Sequence, residues 1–430
     1  MFSGASPRKS TCHGLALCRR LAGERRLAMH SDRIETPSHA AATDSGPLAG
    51  LRVLEFGQIA AAPFAGSLLA DLGADVVKVE RPDGGDGMRG WPPLTAHGNR
   101  SFSENFASLN RNKRSIALDL KDERDLALLR RLCGRADVVI ENFRPGVLDR
   151  LGFGEAALRR DNPRLVYCSI TGYGHRGPYA ARGAFDVTIQ AVSGVMSVTG
   201  EESGAPVKCG VPVGDFCAGL YASYCILAAV LRARDTGAGA FIDCSMLGAM
   251  IGVAALQTSE YFGTGAAPRR LGSAHPRNAP YQAFRAADAY FVIAAGNDRL
   301  WHEVCGAVGR PDLAEDARFR TQELRARNQV ELADVLQSIF HRRSAAEWLA
   351  EMDRRGVPSA PINGYPEILA DPQVAALDLV RELRLPNGAT TRTTAFPIGI
   401  SDYAFAVRRA PPELGEHNEE VAKDWLDGAA

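Results

Sequence analysis

Between Leu51 and Pro82 the chain carries two apolar, β-branched runs, LRVLEFG and DVVKVERP, on either side of QIAAAPFAGSLLADLGA, a stretch rich in alanine and leucine. A helical connection of that length returns the second strand parallel to the first, because antiparallel neighbours need only a short turn. The pattern recurs. KRSIALDL from Lys113 reads as a strand, DERDLALLRRLCGRA as an amphipathic helix, DVVIENF from Asp137 as a strand and LVYCSITGYG from Leu165 as another. Such alternation implies a parallel sheet with helices on both faces and ligands beyond the carboxyl ends of the strands. The loops at those ends are the places to search for function.

Those loops hold neither a GxGxxG after the first strand nor a GxxxxGK[ST] anywhere, which disfavours nicotinamide and ATP chemistry. They hold ERPDGGDGMRGW, NRNKRS and ENFRPGVLDRLGF instead. Arg81, Arg89, Arg111, Lys113, Arg114, Arg144 and Arg150 either gather around a phosphorylated ligand or form an ordinary solvated surface. Fifty Lys+Arg balance fifty Asp+Glu, so no field of one sign draws nucleic acid or an anionic membrane, and a small molecule is the expected partner. The strongly apolar stretches at Leu247–Leu256 and Ile226–Leu231 fall short of the roughly 18 residues that span a bilayer. Nine cysteines form no CxxC pair and no His/Cys cluster at ligand spacing, so they read as reduced thiols and no metal site is expected.

The segment 1–47 stands apart: its first thirty residues hold six Lys/Arg and one acid, Glu24, and Ser, Pro and Ala dominate the rest. It reads as a disordered extension. Either it is a transit peptide, which places the protein in the mitochondrial matrix, or translation starts at Met29 in a cytoplasmic bacterial protein.

One carboxylate, Asp215, heads GVPVGDFCAGLYASYCILAAVLRA, a run from Gly210 in which the next charge is Arg232. Residue types alone leave two readings, an N-cap for a buried helix beginning near Phe216 or a nucleophile at a helix terminus.

The segments VLEFGQIAAAPFAGSLLADLGADVVKVERPDGGDGMRGW, NRNKRSIALDLK, ENFRPGVLDRLGF, YCSITGYGHRGPYAARGAFDVTIQAVSGVMSVTG and GDFCAGLYASYCILAAVLRARDTGAGAFIDCSM occur in this order. Together they make the chain resemble the family III CoA-transferases over roughly residues 48–425. Across LGSAHPRNAPYQAFRAADAYFVIAAGN it is most similar to the glutarate-type branch. The resemblance implies a Rossmann-like parallel-sheet large domain beginning with residues 48–247, a linker helix over 248–269, a smaller α+β domain over 270–362 and a return to the large domain over 363–430. It implies an open-ring monomer interlocked in a homodimer.

It also implies that Asp215 attacks an acyl-CoA and that Asp186 flanks the site and positions its neighbours. CoA is then a substrate, no cofactor is permanently bound, and the contacts to CoA fall to Arg81, Leu120, Lys121, Asn142, Phe143 and Arg150. Trp91 and Phe185 line the acyl site. Related racemases of this fold carry a histidine where this chain has Phe185, and a phenyl ring moves no proton, which argues against α-proton exchange. An inactive CoA-binding protein is the remaining alternative, against which the intact Asp215 stands. A distal substrate carboxylate needs a cation. Arg270 and His275 in RRLGSAHP are the expected ones, with Arg111 or Arg277 as substitutes. GSAHP stands where other members have a run of glycines over the intermediate, which points away from very small acyl groups.

Overall fold

The structure, a computed structural model, describes residues 46–427. The extension expected over 1–47 lies outside the described residues except for Gly46 and Pro47. In chain order the first half holds β1 (Arg52–Glu55), β2 (Asp75–Glu80), β3 (Leu94–His97), β4 (Arg100–Ser103), β5 (Lys113–Ala117), β6 (Val138–Glu141), β7 (Val166–Thr171) and β8 (Phe241–Ser245).

Six of these strands form one wholly parallel sheet in the order β5-β2-β1-β6-β7-β8. The chain winds outward from β1 on one side, then restarts at β6 on the other. That reversal leaves a crevice beyond the carboxyl ends of β1 and β6, because the helices following them cover opposite faces. On one face Val53, Val76, Val138 and Cys168 pack against the helices Ala61–Asp71 and Val213–Thr236. On the other, Leu54, Val77 and Val139 meet Leu129 and Leu132 of the helix Glu123–Cys133, together with Trp425 near the C-terminus. Strands apolar on both faces are what a doubly covered parallel sheet requires.

The β3–β4 hairpin and the helix Glu104–Asn110 after it carry no periodic signal that the sequence reading caught. The second half adds β9 (Tyr281–Arg285), β10 (Tyr290–Ala294) and β11 (Ser359–Pro361), an antiparallel sheet in the order β11-β10-β9 over a separate core of Phe284, Phe291, Trp301, Phe340 and Trp348. β12 (Val380–Arg384) and β13 (Thr390–Thr394) form a final hairpin. Leu383 and Leu385 pack there on Met88, Phe102 and Phe106, which brings the chain back to the first half.

Three local readings need correction. The linker expected as one helix over 248–269 is two, Met246–Val253 and Ala255–Thr264, broken at Ala254. The stretch Gln322–Phe340, whose spacing predicts one helix, is likewise two, Gln322–Arg327 and Gln329–Phe340, parted at Asn328, whose side chain donates to the carbonyl of Arg318. The helix Val213–Thr236, with a mean hydropathy of 1.6 over its most apolar 18 residues, is long and apolar enough by composition to cross a membrane, contrary to the expectation that no stretch is. Its stripe of Ala218, Ala222, Ile226, Val230 and Ala233, at helical spacing, belongs to the core beneath the sheet.

Candidate active site

The helix Val213–Thr236 starts three residues earlier than the sequence suggested, so Pro212 is its N-cap and Asp215 lies in the first turn. The two glycines of GDFCAG have physical reasons. Gly214 donates its N–H to Asp186 Oδ1 at 2.8 Å, and a Cβ there would come 3.0 Å from that oxygen. A Cβ on Gly219 would lie 2.9 Å from the carbonyl oxygen of Ala61, so its absence lets this helix close on the helix Ala61–Asp71. Asp186 Oδ2 meanwhile accepts from Gln190 Nε2 at 2.8 Å. One carboxylate thus anchors the turn that presents the other.

Asp215 opens into a cavity of about 320 Å³ at the sheet's switch point. Gln58 to Ala61 follow β1, Asn142 to Pro145 follow β6, Thr171 and Gly172 end β7, Met246 follows β8, and Arg182 to Asp186 close the side. Among the described residues no cation or hydrogen-bond donor meets the Asp215 carboxylate. Burial, and then the neighbouring Asp186 charge, pushes its pKa up to about 6. It is therefore an unpaired carboxylate, ionised at neutral pH, of the kind a nucleophile requires.

Behind the loop after β1 lies a set of buried ions. Glu55 takes Lys78 at 3.0 Å on one oxygen and Lys113 at 2.7 Å on the other, and Lys78 also pairs with Asp86 at 2.9 Å. These side chains hold the loop after β1 in place. Lys78 Nζ donates to the Gly57 carbonyl at 2.6 Å, and both Asp86 oxygens accept the Ile59 N–H at 3.1 Å. Between them, Asn142 accepts the Gln58 N–H and donates to the Gln58 carbonyl, each at 2.9 Å. Ile59 is left at φ 65°, a left-handed conformation that a β-branched residue enters only when its surroundings force it. Burial, with Lys78 beside it, lowers the Lys113 pKa to about 8. For Lys78 the Glu55, Asp86 and Glu80 carboxylates outweigh burial and raise it.

The loop after β6 has its own support. Glu141 Oε2 accepts the Phe143 N–H at 2.7 Å, and burial pushes Glu141 up to about 7. Ser169 Oγ and His175 Nε2 lie 2.7 Å apart beside it.

The cavity brings together Asp215, Asp186, Phe185, Asn142, Phe143 and Arg144 of the residues singled out by sequence. Phe185 is 72% exposed at its rim. Arg81, Leu120, Lys121 and Arg150 do not line it but follow β2, β5 and β6 on the same carboxyl edge. Trp91 stands exposed after a short turn at 87–90. Arg270 and His275 are elsewhere: the Arg270 guanidinium donates to the carbonyls of Glu201 and Gly204, and His275 Nδ1 accepts the N–H groups of Arg277 and Asn278. Arg277 pairs with Glu260 at 3.1 Å and Arg111 with Asp71 at 2.5 Å.

The basic loop ends are neither one anion site nor plain surface. Arg89, Arg111, Lys113 and Arg114 are committed to Glu80, Asp71, Glu55 and Asp75. Sequence reasoning missed Gln58, Ile59, Asp86 and Arg182. For Asp86 the available signal was a carboxylate between glycines in the loop after a buried strand.

A family model of CoA-transferase family III matches residues 48–418. The chain belongs to CoA-transferase family III. It is 40% identical over 378 residues to the succinate–glutarate CoA-transferase of Agrobacterium fabrum, spanning 87% of this chain and 94% of that protein. It is 37% identical over 381 residues to the human succinyl-CoA:glutarate CoA-transferase, spanning 88% of this chain and 86% of the other. A crystal structure of a CAIB/BAIF family protein from Brucella suis superposes with a TM-score of 0.80 at 40% identity, covering 89% of this chain and all of that one. The enzyme is thus a CoA-transferase on the Rossmann-like α/β fold expected from its sequence.

Proposed function

We propose that this CoA-transferase moves CoA from succinyl-CoA to glutarate or a closely related short dicarboxylic acid, with Asp215 as the covalent nucleophile. The observation that carries the reading is the unpaired Asp215 carboxylate at the switch-point cavity, ionised above a pKa of about 6. Relatives named for succinate and glutarate support the choice of acids.

The Asp215 carboxylate attacks the thioester carbonyl, forming a C–O bond as the C–S bond breaks. This gives a mixed anhydride and CoA thiolate. The thiolate attacks the aspartyl carbonyl, succinate leaves with the electron pair of the broken C–O bond, and an aspartyl-CoA thioester remains. The acceptor carboxylate then reverses the sequence and restores Asp215. Each step exchanges one acyl bond for another, so the cycle consumes no proton, nucleotide or reductant. Phe185 supplies no proton-transfer group, which weighs against α-proton exchange.

Arg81, Lys121 and Arg150 serve the CoA phosphates in this reading, with Leu120, Asn142 and Phe143 beside the nucleotide and Trp91 at the acyl entrance. The working form is an interlocked homodimer. Leu220, Tyr224 and Leu231, exposed on the helix of Asp215, and Phe262 and Tyr365 beyond it supply apolar surface for a second copy to cover. The test is CoA transfer from succinyl-CoA to glutarate beside Asp215→Ala, with mass spectrometry for CoA bound to the protein. Transfer and a CoA adduct in the wild type, both absent in the variant, are expected. Transfer that persists in Asp215→Ala overturns the role of Asp215.

A further inference from the structure

We propose that Arg182 receives the distal carboxylate of the acid substrate, so that Asp215 and Arg182 engage the two ends of a short dicarboxylic acid in one cavity. The inference rests on the reaction proposed above and adds the group that selects the acid.

The cavity carries two carboxylates, Asp186 and Asp215, and two guanidinium groups, Arg144 and Arg182. Arg144 packs on the backbone of Gly183, where a Cβ would come 2.6 Å from its Nη2. It also borders a small neighbouring cavity lined by Glu141, Asp149 and Glu155, and so faces away toward a second space. Arg182 differs. Among the described residues neither guanidinium makes an ion pair or a hydrogen bond, but that of Arg182 alone stacks on an aromatic ring, 3.8 Å from the Tyr179 centroid. Tyr179 is in turn held edge-on to Tyr173 at 5.6 Å. Stacking fixes the guanidinium plane and leaves its N–H edge open, the geometry that forks a carboxylate.

The wall beyond Arg182 is Ala184, Phe185 and Met246, which suits the methylenes between two carboxyl groups. The cations nominated from sequence for this role are engaged elsewhere: Arg111 and Arg277 hold carboxylates, and Arg270 holds carbonyls. Asp215 itself carries no cation, so the charge of Arg182 is not neutralised within the site.

Steady-state kinetics of Arg182→Gln and Arg182→Lys test the assignment, with glutarate and pentanoate as acceptors and desulfo-CoA as a dead-end inhibitor reporting the CoA site. Arg182 is exposed, so both variants should fold as the wild type does, which a thermal melt checks. Arg182→Gln should lower kcat/KM for glutarate by about 10- to 100-fold, with Arg182→Lys between it and the wild type. Any activity on pentanoate should persist, and inhibition by desulfo-CoA should be unchanged. An unchanged glutarate constant overturns the assignment. So does inhibition by desulfo-CoA weakened by the same factor, since the guanidinium then serves a CoA phosphate. A wild type that transfers CoA to no dicarboxylic acid sinks the proposed reaction instead, a result read before any variant is made.

Discussion

The two halves of the chain bury charge in opposite ways. In the second half Trp301, Phe319, Phe340, Trp348 and Met352 form an apolar core. Its one fully buried charge among the described residues, Arg325, donates to the carbonyls of Ala279 and Phe319 and pairs with Asp298 at 2.7 Å. In the first half Glu55, Lys78, Asp86 and Lys113 are all buried behind the loop after β1. A buried ion network gives little stability beyond what apolar residues of equal volume would give. What the network does supply is direction: its outward hydrogen bonds reach the backbone of Gly57, Ile59 and Pro63, on either side of the residues that line the cavity. A core that only holds itself together can be apolar, whereas one that must hold a strained loop carries polar groups.

Two substitutions of similar cost should separate these roles. Lys78→Met leaves Glu55 and Asp86 without a shared cation and should destabilise the fold by about 3–5 kcal/mol. Phe340→Ala should cost about the same through the cavity it leaves. At a temperature where both remain folded, transfer should fall sharply in Lys78→Met, which frees the Gly57 carbonyl, and stay near wild type in Phe340→Ala. Chemical denaturation and initial rates give the two readings, and equal losses of rate would erase the contrast.

Asp215 places a further cost in the first half. Its pKa of about 6, against the ordinary 3.8, means that the folded protein holds this proton more tightly than the unfolded chain. The stability the proton provides is complete below about pH 4 and lost as pH rises through 6. Asp215→Asn should therefore raise stability at pH 7.5 by as much as about 3 kcal/mol, and add nothing at pH 4, while abolishing transfer. Thermal melts at both pH values decide the matter. A gain of equal size at both would assign the effect to packing.

Asp86 sharpens the comparison at smaller cost. Asp86→Asn keeps an oxygen for the Ile59 N–H but loses the charge facing Lys78. Asp86→Ala loses both, and should cost about 1–3 kcal/mol more than wild type and lower kcat further than Asn does. If Ala and Asn are equally active, the clamp on Ile59 does not matter to the reaction.

The sequence made the sheet legible because central parallel strands are apolar on both faces, and period alone separates them from the amphipathic Glu123–Cys133 helix. Asp215, Asp186, Asn142 and Phe143 were legible through motifs. The ion network was only half written: a lysine inside DVVKVE is a visible anomaly, but its partners Glu55 and Asp86 arrive by tertiary folding from 23 and 8 positions away. The left-handed Ile59 was invisible, since propensity puts β-branched residues last in that region. Arg182 was invisible for the opposite reason, because an arginine in a polar turn looks like ordinary surface.

The smallest expected effect tests how the two carboxylates divide their work. Asp186 stabilises the first turn through Gly214 and also raises Asp215 by its charge, although burial is the larger cause. Asp186→Asn keeps an acceptor for Gly214 and removes the charge. In the proposed role Asp215 loses activity as it is protonated, so transfer by the wild type should fall below about pH 6. In Asp186→Asn that acid limb should move to lower pH by less than about one pH unit, because burial remains. A pH–rate profile of kcat/KM reads the shift directly. An acid limb that stays put would mean that Asp186 acts on Asp215 through the backbone of Gly214 alone, and that the carboxylate pair is a matter of geometry rather than charge.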